Sequence, residues 1–123
     1  MMNRRLRLRR PEDFARLRRE GTSHRHPLLV VSVAPNSLTH NRYGFITAKR
    51  LGNAVTRNRV RRLMREAVRH LHAGLKPGYD VVIIARPHAV GKSYMAIYQA
   101  LQSTFSRADL PTLQTREEDN HIP

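Results

Sequence analysis

The chain has 123 residues, with 23 Lys plus Arg against 9 Asp plus Glu and a formal net charge of +14. That length suits one domain with one core, and 40% hydrophobic residues are enough to build it. Cysteine is absent, which excludes disulfides and thiolate metal sites and makes a reducing cytoplasm the natural setting.

The Arg-rich start has no apolar stretch behind it, so no secretory signal is read there, and no run is long enough to span a bilayer. Residues 1–10 carry Arg4, Arg5, Arg7, Arg9 and Arg10 and are expected to form a mobile basic arm. A helix is predicted over Pro11 to Glu20. Pro11 fits its first position, Glu12 and Asp13 suit its positive end, and Gly21 suits its stop. Phe14 and Leu17 lie on one side of it, and Arg18 stands one turn from Phe14.

Leu28 to Ala34 is an apolar, β-branched run read as a buried strand. Tyr43 to Ala48 reads as a second strand, and the short connection predicts an antiparallel pair. A long helix follows from about Ala54 to Leu71, with Gly52 allowing the turn and Asn53 or Thr56 as its cap. Gly74, Pro77 and Gly78 break the chain before a third strand, Asp80 to Ala85, whose Val81 to Ile84 are apolar throughout and so belong at the sheet centre. Ser93 caps a last helix with a core stripe of Tyr94, Ile97, Tyr98, Leu101 and Phe105. Residues 106–123, with Pro111 and the acidic run Glu117, Glu118 and Asp119, are expected to be a disordered or loosely packed tail. The order helix-strand-strand-helix-strand-helix makes a single-domain α+β sandwich. The long helix would join its two flanking strands as a parallel unit, and the general rule makes such a crossover right-handed.

That long helix carries the functional signal. At about 100° per residue, Val60, Leu63, Met64, Ala67, Val68 and Leu71 share one face. Arg61, Arg62, Arg65 and Arg69 gather with Asn58 on the other, with Arg57 at the border. No acid interrupts the segment before Glu66, so a self-paired ionic surface is not expected. Lys49, Lys76 and Lys92 are the only lysines, and an Arg bias favours phosphate forks and base stacking over diffuse attraction. The pattern asks for a polyanion.

Other chemistry is poorly supported. Gly91-Lys92-Ser93 opens a helix as a nucleotide-binding loop would, but the position five before Gly91 is Arg86, so the motif fails. His24 with His26, or His70 with His72, lack a matching ligand set for a metal. The acids are scattered, and none looks placed as acid, base or metal ligand, so no catalytic residue and no small-molecule substrate is assigned. The basic helix lacks an aromatic anchor for a membrane surface.

The run Lys49-Arg50-Leu51-Gly52-Asn53-Ala54-Val55-Thr56-Arg57-Asn58-Arg59-Val60-Arg61-Arg62-Leu63-Met64-Arg65-Glu66 closely resembles the signature of the bacterial ribonuclease P protein subunit. Pro11-Glu12-Asp13-Phe14 and Gly21-Thr22-Ser23 resemble that family too, as does the order of elements over residues 11–105. The resemblance implies an RNA-binding domain there and a left-handed crossover, the exception to the rule. It implies a subunit of a ribonucleoprotein endonuclease that removes the 5′ leader from precursor tRNA, with hydrolysis left to the catalytic RNA and its magnesium ions. By position, Lys49, Arg50, Arg57, Asn58, Arg59, Arg61, Arg62 and Arg65 match the family's RNA contacts. Arg59 projects away from the main arc, either toward another RNA strand or into a pair with Glu66. The family's leader cleft lies between the first helix and the sheet. Phe14 matches an aromatic position of that cleft, whereas Arg18 and Val31 stand where relatives often have aromatics. Composition equally suits a non-catalytic ribosomal or RNA-chaperone-type binder; the long motif separates the two.

Overall fold

A computed structural model describes residues 4–111. Helix α1 spans Pro11–Glu20, strands β1, β2 and β3 span Thr22–Arg25, Leu29–Pro35 and Arg42–Ile46, helix α2 spans Ala54–Leu71, strand β4 spans Tyr79–Ala85 and helix α3 spans Tyr94–Arg107. The four strands form one sheet in the order β1-β2-β4-β3. Three layers result, because the strands alternate their side chains between two helical covers. Leu29, Val31, Val33, Val81 and Ile83 meet α2 and α3 through Met64, Val68, Ile97, Leu101 and Phe105. Ala34 and Val82 meet α1 on the opposite face, with Leu8, Leu17, Phe14, Ile46 and Ile84 around them.

The helices begin and end as their residues dictate. Asn53 caps α2 by accepting from the Thr56 backbone N–H at 2.9 Å, and Ser93 caps α3 by accepting from that of Ala96 at 3.1 Å. Gly52 precedes α2 at φ 140°, in the region that favours glycine.

The sheet order corrects the expected antiparallel pairing of β2 with β3. β4 lies between them, antiparallel to β2 (Leu29 opposite Ala85) and parallel to β3 (Tyr43 opposite Val81). β4 carries apolar side chains toward both covers and so needs a neighbour on each side. The parallel β3-α2-β4 unit read from the sequence is present, and β4 is central as its composition required. The connection from β2 to β3 therefore crosses the start of β4, and buried polar groups tie it there. The Asn41 side chain accepts from the Tyr79 N–H at 2.8 Å and donates to the Lys76 carbonyl at 2.9 Å. Asp80, with no exposed surface, accepts both Arg42 Nε and an Arg42 terminal nitrogen, at 2.9 and 2.7 Å, as well as the Asn36 amide at 3.0 Å and Arg16. Burial pushes the Asp80 carboxyl up, but the hydrogen bonds from Arg42 and Asn36 and the charges of Arg42 and Arg16 outweigh it and hold the pKa below its ordinary value.

Three further readings change. β1 was not anticipated: Thr22-Ser23-His24-Arg25 is polar, yet it pairs antiparallel along the β2 edge, where one face needs no apolar side chains. Residues 1–10 were expected as a mobile arm, of which 4–10 are among the described residues. Instead Leu8 is buried, its N–H donates to the Tyr43 carbonyl at 2.8 Å, and Arg7 bridges to Tyr43 alongside β3. At the other end α3 runs to Arg107, and Leu110 and Pro111 are still buried, so the folded region extends past residue 105. The remainder of the predicted tail lies outside the described residues.

Candidate nucleic-acid interface

α2 presents the two faces its periodicity requires. Val60, Met64, Ala67 and Val68 are buried, and Leu63 and Leu71 pack partly against the same core. Asn58, Arg62, Arg65 and Arg69 are exposed, and Arg61 is half-buried. These polar residues line an open groove of about 380 Å³ with Arg7 and Glu66. Arg61 is oriented at both ends of its guanidinium, donating to the Asn58 amide oxygen at 2.9 Å and to the Thr47 hydroxyl at 2.5 Å. The Arg65 guanidinium carbon lies 5.8 Å from the centre of the Phe45 ring, a cation–π distance. Burial, with the nearby charges of Arg7 and Arg61, lowers the Arg65 pKa from its ordinary value.

Arg61, Arg62 and Arg65 form no carboxylate pair among the described residues. Arg69 is different. It donates to Glu66 at 2.6 and 3.2 Å, and His70 also meets Glu66 at 3.2 Å. The hydrogen bond from Arg69 draws the Glu66 carboxyl down to about 2. The Arg59–Glu66 pair left open by the sequence is therefore not formed, and Arg59 is exposed. Lys49 and Arg50 are exposed in the 3-10 turn leading into α2, anchored by buried Leu51. Arg57 sits half-buried, with its Nε buried and lacking a hydrogen-bond partner.

A second cleft of about 360 Å³ shares Arg7, Arg61 and Arg65 with the groove and continues past Tyr43, Gly44 and Phe45 to Phe14. Gly44 lies under the Phe14 ring, where an added Cβ would stand 2.8 Å from two ring carbons. A smaller hollow of about 80 Å³ lies between α1 and the sheet, lined by Phe14 and Arg18 with Ser32, Ile46 and Ile84. Val31, expected in that place, is wholly buried on the opposite face against the α2–α3 core. Adjacent strand residues point to opposite faces, so a position one residue away decides the matter. Arg7 and Phe45 were missed in the sequence. The alternation Arg5-Leu6-Arg7-Leu8-Arg9 was the available signal for an extended segment that packs one side and charges the other.

Among the described residues, no group of three or more His, Asp or Glu is placed to hold a metal ion, and no helix is long and apolar enough to cross a membrane. The family profile "Ribonuclease P" matches residues 2–109. The ribonuclease P protein component of Roseiflexus sp. (strain RS-1) is 47% identical over 108 residues, which is 87% of this chain and 88% of that one. That of Herpetosiphon aurantiacus is 41% identical over 122 residues, covering 98% and 99%. Among solved structures, the Staphylococcus aureus RNase P protein superposes with TM-score 0.81 at 29% identity, covering 87% of this chain and 98% of that one. The Thermotoga maritima RNase P protein does so with TM-score 0.76 at 27% identity, covering 82% and 96%.

Proposed function

This chain belongs to the ribonuclease P protein family, and from that premise we propose that the arginine face of α2 is where it meets RNA. The chain is a protein subunit of a ribonucleoprotein endoribonuclease in tRNA processing, the complex that removes the 5′ leader from precursor tRNA, and it is not catalytic alone. Membership of that family sets aside the ribosomal or chaperone-type alternative. What the family leaves open is which side chains bind which strand.

The observation that carries the reading is the groove itself: Arg61, Arg62 and Arg65 line it together and pair with no carboxylate among the described residues, and Asn58 and Thr47 orient one of them. Guanidinium forks held this way bind phosphate oxygens in pairs. Arg57, Arg59, Lys49 and Arg50 extend the same positive field toward the start of α2, and Arg69 contributes with its charge already shared with Glu66. The catalytic RNA and the leader of precursor tRNA are the partners of this reading, with Phe14 and Arg18 on the leader side. Support comes from the open cleft that joins the groove to Phe14. The absence of cysteine agrees with a cytoplasmic setting.

Magnesium is assigned to the RNA subunit. The protein face does not fit that ion, because its donors are guanidinium groups and its one acid, Glu66, is engaged by Arg69 and His70. The protein's part is electrostatic. A positive surface between two polyanions reduces their repulsion, so less free cation is needed for screening.

Reconstitution tests the reading. The chain is mixed with its matching catalytic RNA and precursor tRNA at low magnesium, and leader removal is compared with and without protein. The expected result is cleavage only in the complete mixture. Equal cleavage in both mixtures would remove the functional reading. An unchanged salt dependence of precursor affinity in an Arg61→Ala, Arg65→Ala variant would move the RNA contacts off this face.

A further inference from the structure

We propose that Arg7, Arg61 and Arg65 form a single phosphate-binding site at the seam of the two clefts, holding one backbone phosphate of an unpaired RNA strand that passes from the α2 groove toward Phe14. This rests on the reading of the α2 face as an RNA surface and deepens it, because it adds a residue from outside the helix.

Three observations converge. The groove and the cleft have in common Arg7, Arg61 and Arg65, so any strand entering both must pass this trio. Arg7 is held there by backbone: it bridges to Tyr43, and Leu8, buried next to it, donates to the Tyr43 carbonyl at 2.8 Å. The Arg7 Nε is nonetheless buried without a hydrogen-bond partner. Leaving that N–H unpaired is costly, and a phosphate bound by the part of the Arg7 side chain that lines the clefts would offset the cost. The fold thus gathers three like charges that form no ion pair among the described residues, with the groove's Glu66 engaged by Arg69 and His70, an arrangement a phosphate neutralises with charge-assisted hydrogen bonds. Beyond the trio the cleft is lined by Phe14 and Phe45, and aromatic faces suit unpaired bases rather than a duplex.

Two strands could supply the phosphate: the precursor leader or an unpaired segment of the catalytic RNA. The test measures salt dependence of two affinities in Arg7→Ala and Arg7→Gln, the latter keeping the aliphatic stem should the first variant fold poorly. One is the affinity of the protein for the catalytic RNA. The other is the affinity of the complete ribonucleoprotein for precursor tRNA, with and without its leader. Loss of one single-strand phosphate contact should lower the log–log salt slope by about 0.7. A fall confined to leader-bearing substrate assigns the phosphate to the leader; a fall in catalytic-RNA binding assigns it to that partner; either supports the site. Unchanged slopes in both assays overturn it. Arg62→Ala separates the two levels of the argument: if Arg62→Ala lowers a slope and the Arg7 variants do not, this site falls and the RNA face stands. If neither lowers a slope, both fall.

Discussion

Two groups of arginines sit on this small fold, and the presence of a carboxylate divides them. Arg16 and Arg42 converge on Asp80, which has no exposed surface, and lock the β2–β3 connection across the start of β4. Arg61, Arg62 and Arg65 meet no acid among the described residues and face an open groove. The same side chain is a fastening in one place and, in the other, a cation left without an ion pair among the described residues. The difference teaches that arginine count says little by itself; what matters is whether the fold spends the charge internally.

That division can be broken most sharply at Asp80. Asp80→Ala should cost about 3 kcal/mol of unfolding free energy in a denaturant titration, toward the low end for a broken buried pair. The low end applies because Arg16 and Arg42 each keep 24% of their side-chain surface. RNA salt slopes measured on the folded fraction should not change. A loss within about 0.5 kcal/mol, the size of an ordinary surface substitution, would mean the Asp80 cluster is not a fastening.

Val31→Ala sharpens the comparison from the core side. It should cost about 2 kcal/mol, the transfer cost of a fully buried valine, and leave leader affinity unchanged. A selective loss of leader affinity would return Val31 to the cleft.

Acid should distinguish the two groups without mutation. The folded pKa of Asp80 is depressed, so its contribution is present above the ordinary carboxylate value and is lost as pH falls through the folded pKa. Part of the acid limb of a stability–pH curve should therefore disappear in Asp80→Asn. The guanidinium groups stay charged throughout that range, so the α2 groove keeps its charge.

The smallest effect lies within the groove. Arg69→Ala should lower the salt slope less than Arg62→Ala, which removes about 0.7–0.9 per phosphate contact. Arg69 already shares its charge with Glu66. Equal reductions would show that Glu66 releases Arg69 when RNA binds.

Much of this was legible beforehand, for reasons that are local. A helix repeats every 3.6 residues, so the buried stripe and the arginine arc of α2 could be read from spacing, and Asn53 and Ser93 announce helix starts by their own hydrogen bonds. The charge excess and the long Gly-Asn-Ala-Val…Arg-Asn-Arg motif likewise pointed to RNA without coordinates. Strand order was not local. β4 enters between β2 and β3 because its two apolar faces need cover and neighbours from distant segments. That placement sends Val31 to the α2–α3 core, gives Arg42 to Asp80, and sets Tyr43 on an edge where Arg7 can lie. The sequence by itself determined the helices, their faces and the appetite for a polyanion, since each depends on neighbours a few residues away. Only the tertiary structure decided which arginines are engaged by carboxylates and which are left facing an open groove, because an ion pair depends on distance in space rather than along the chain.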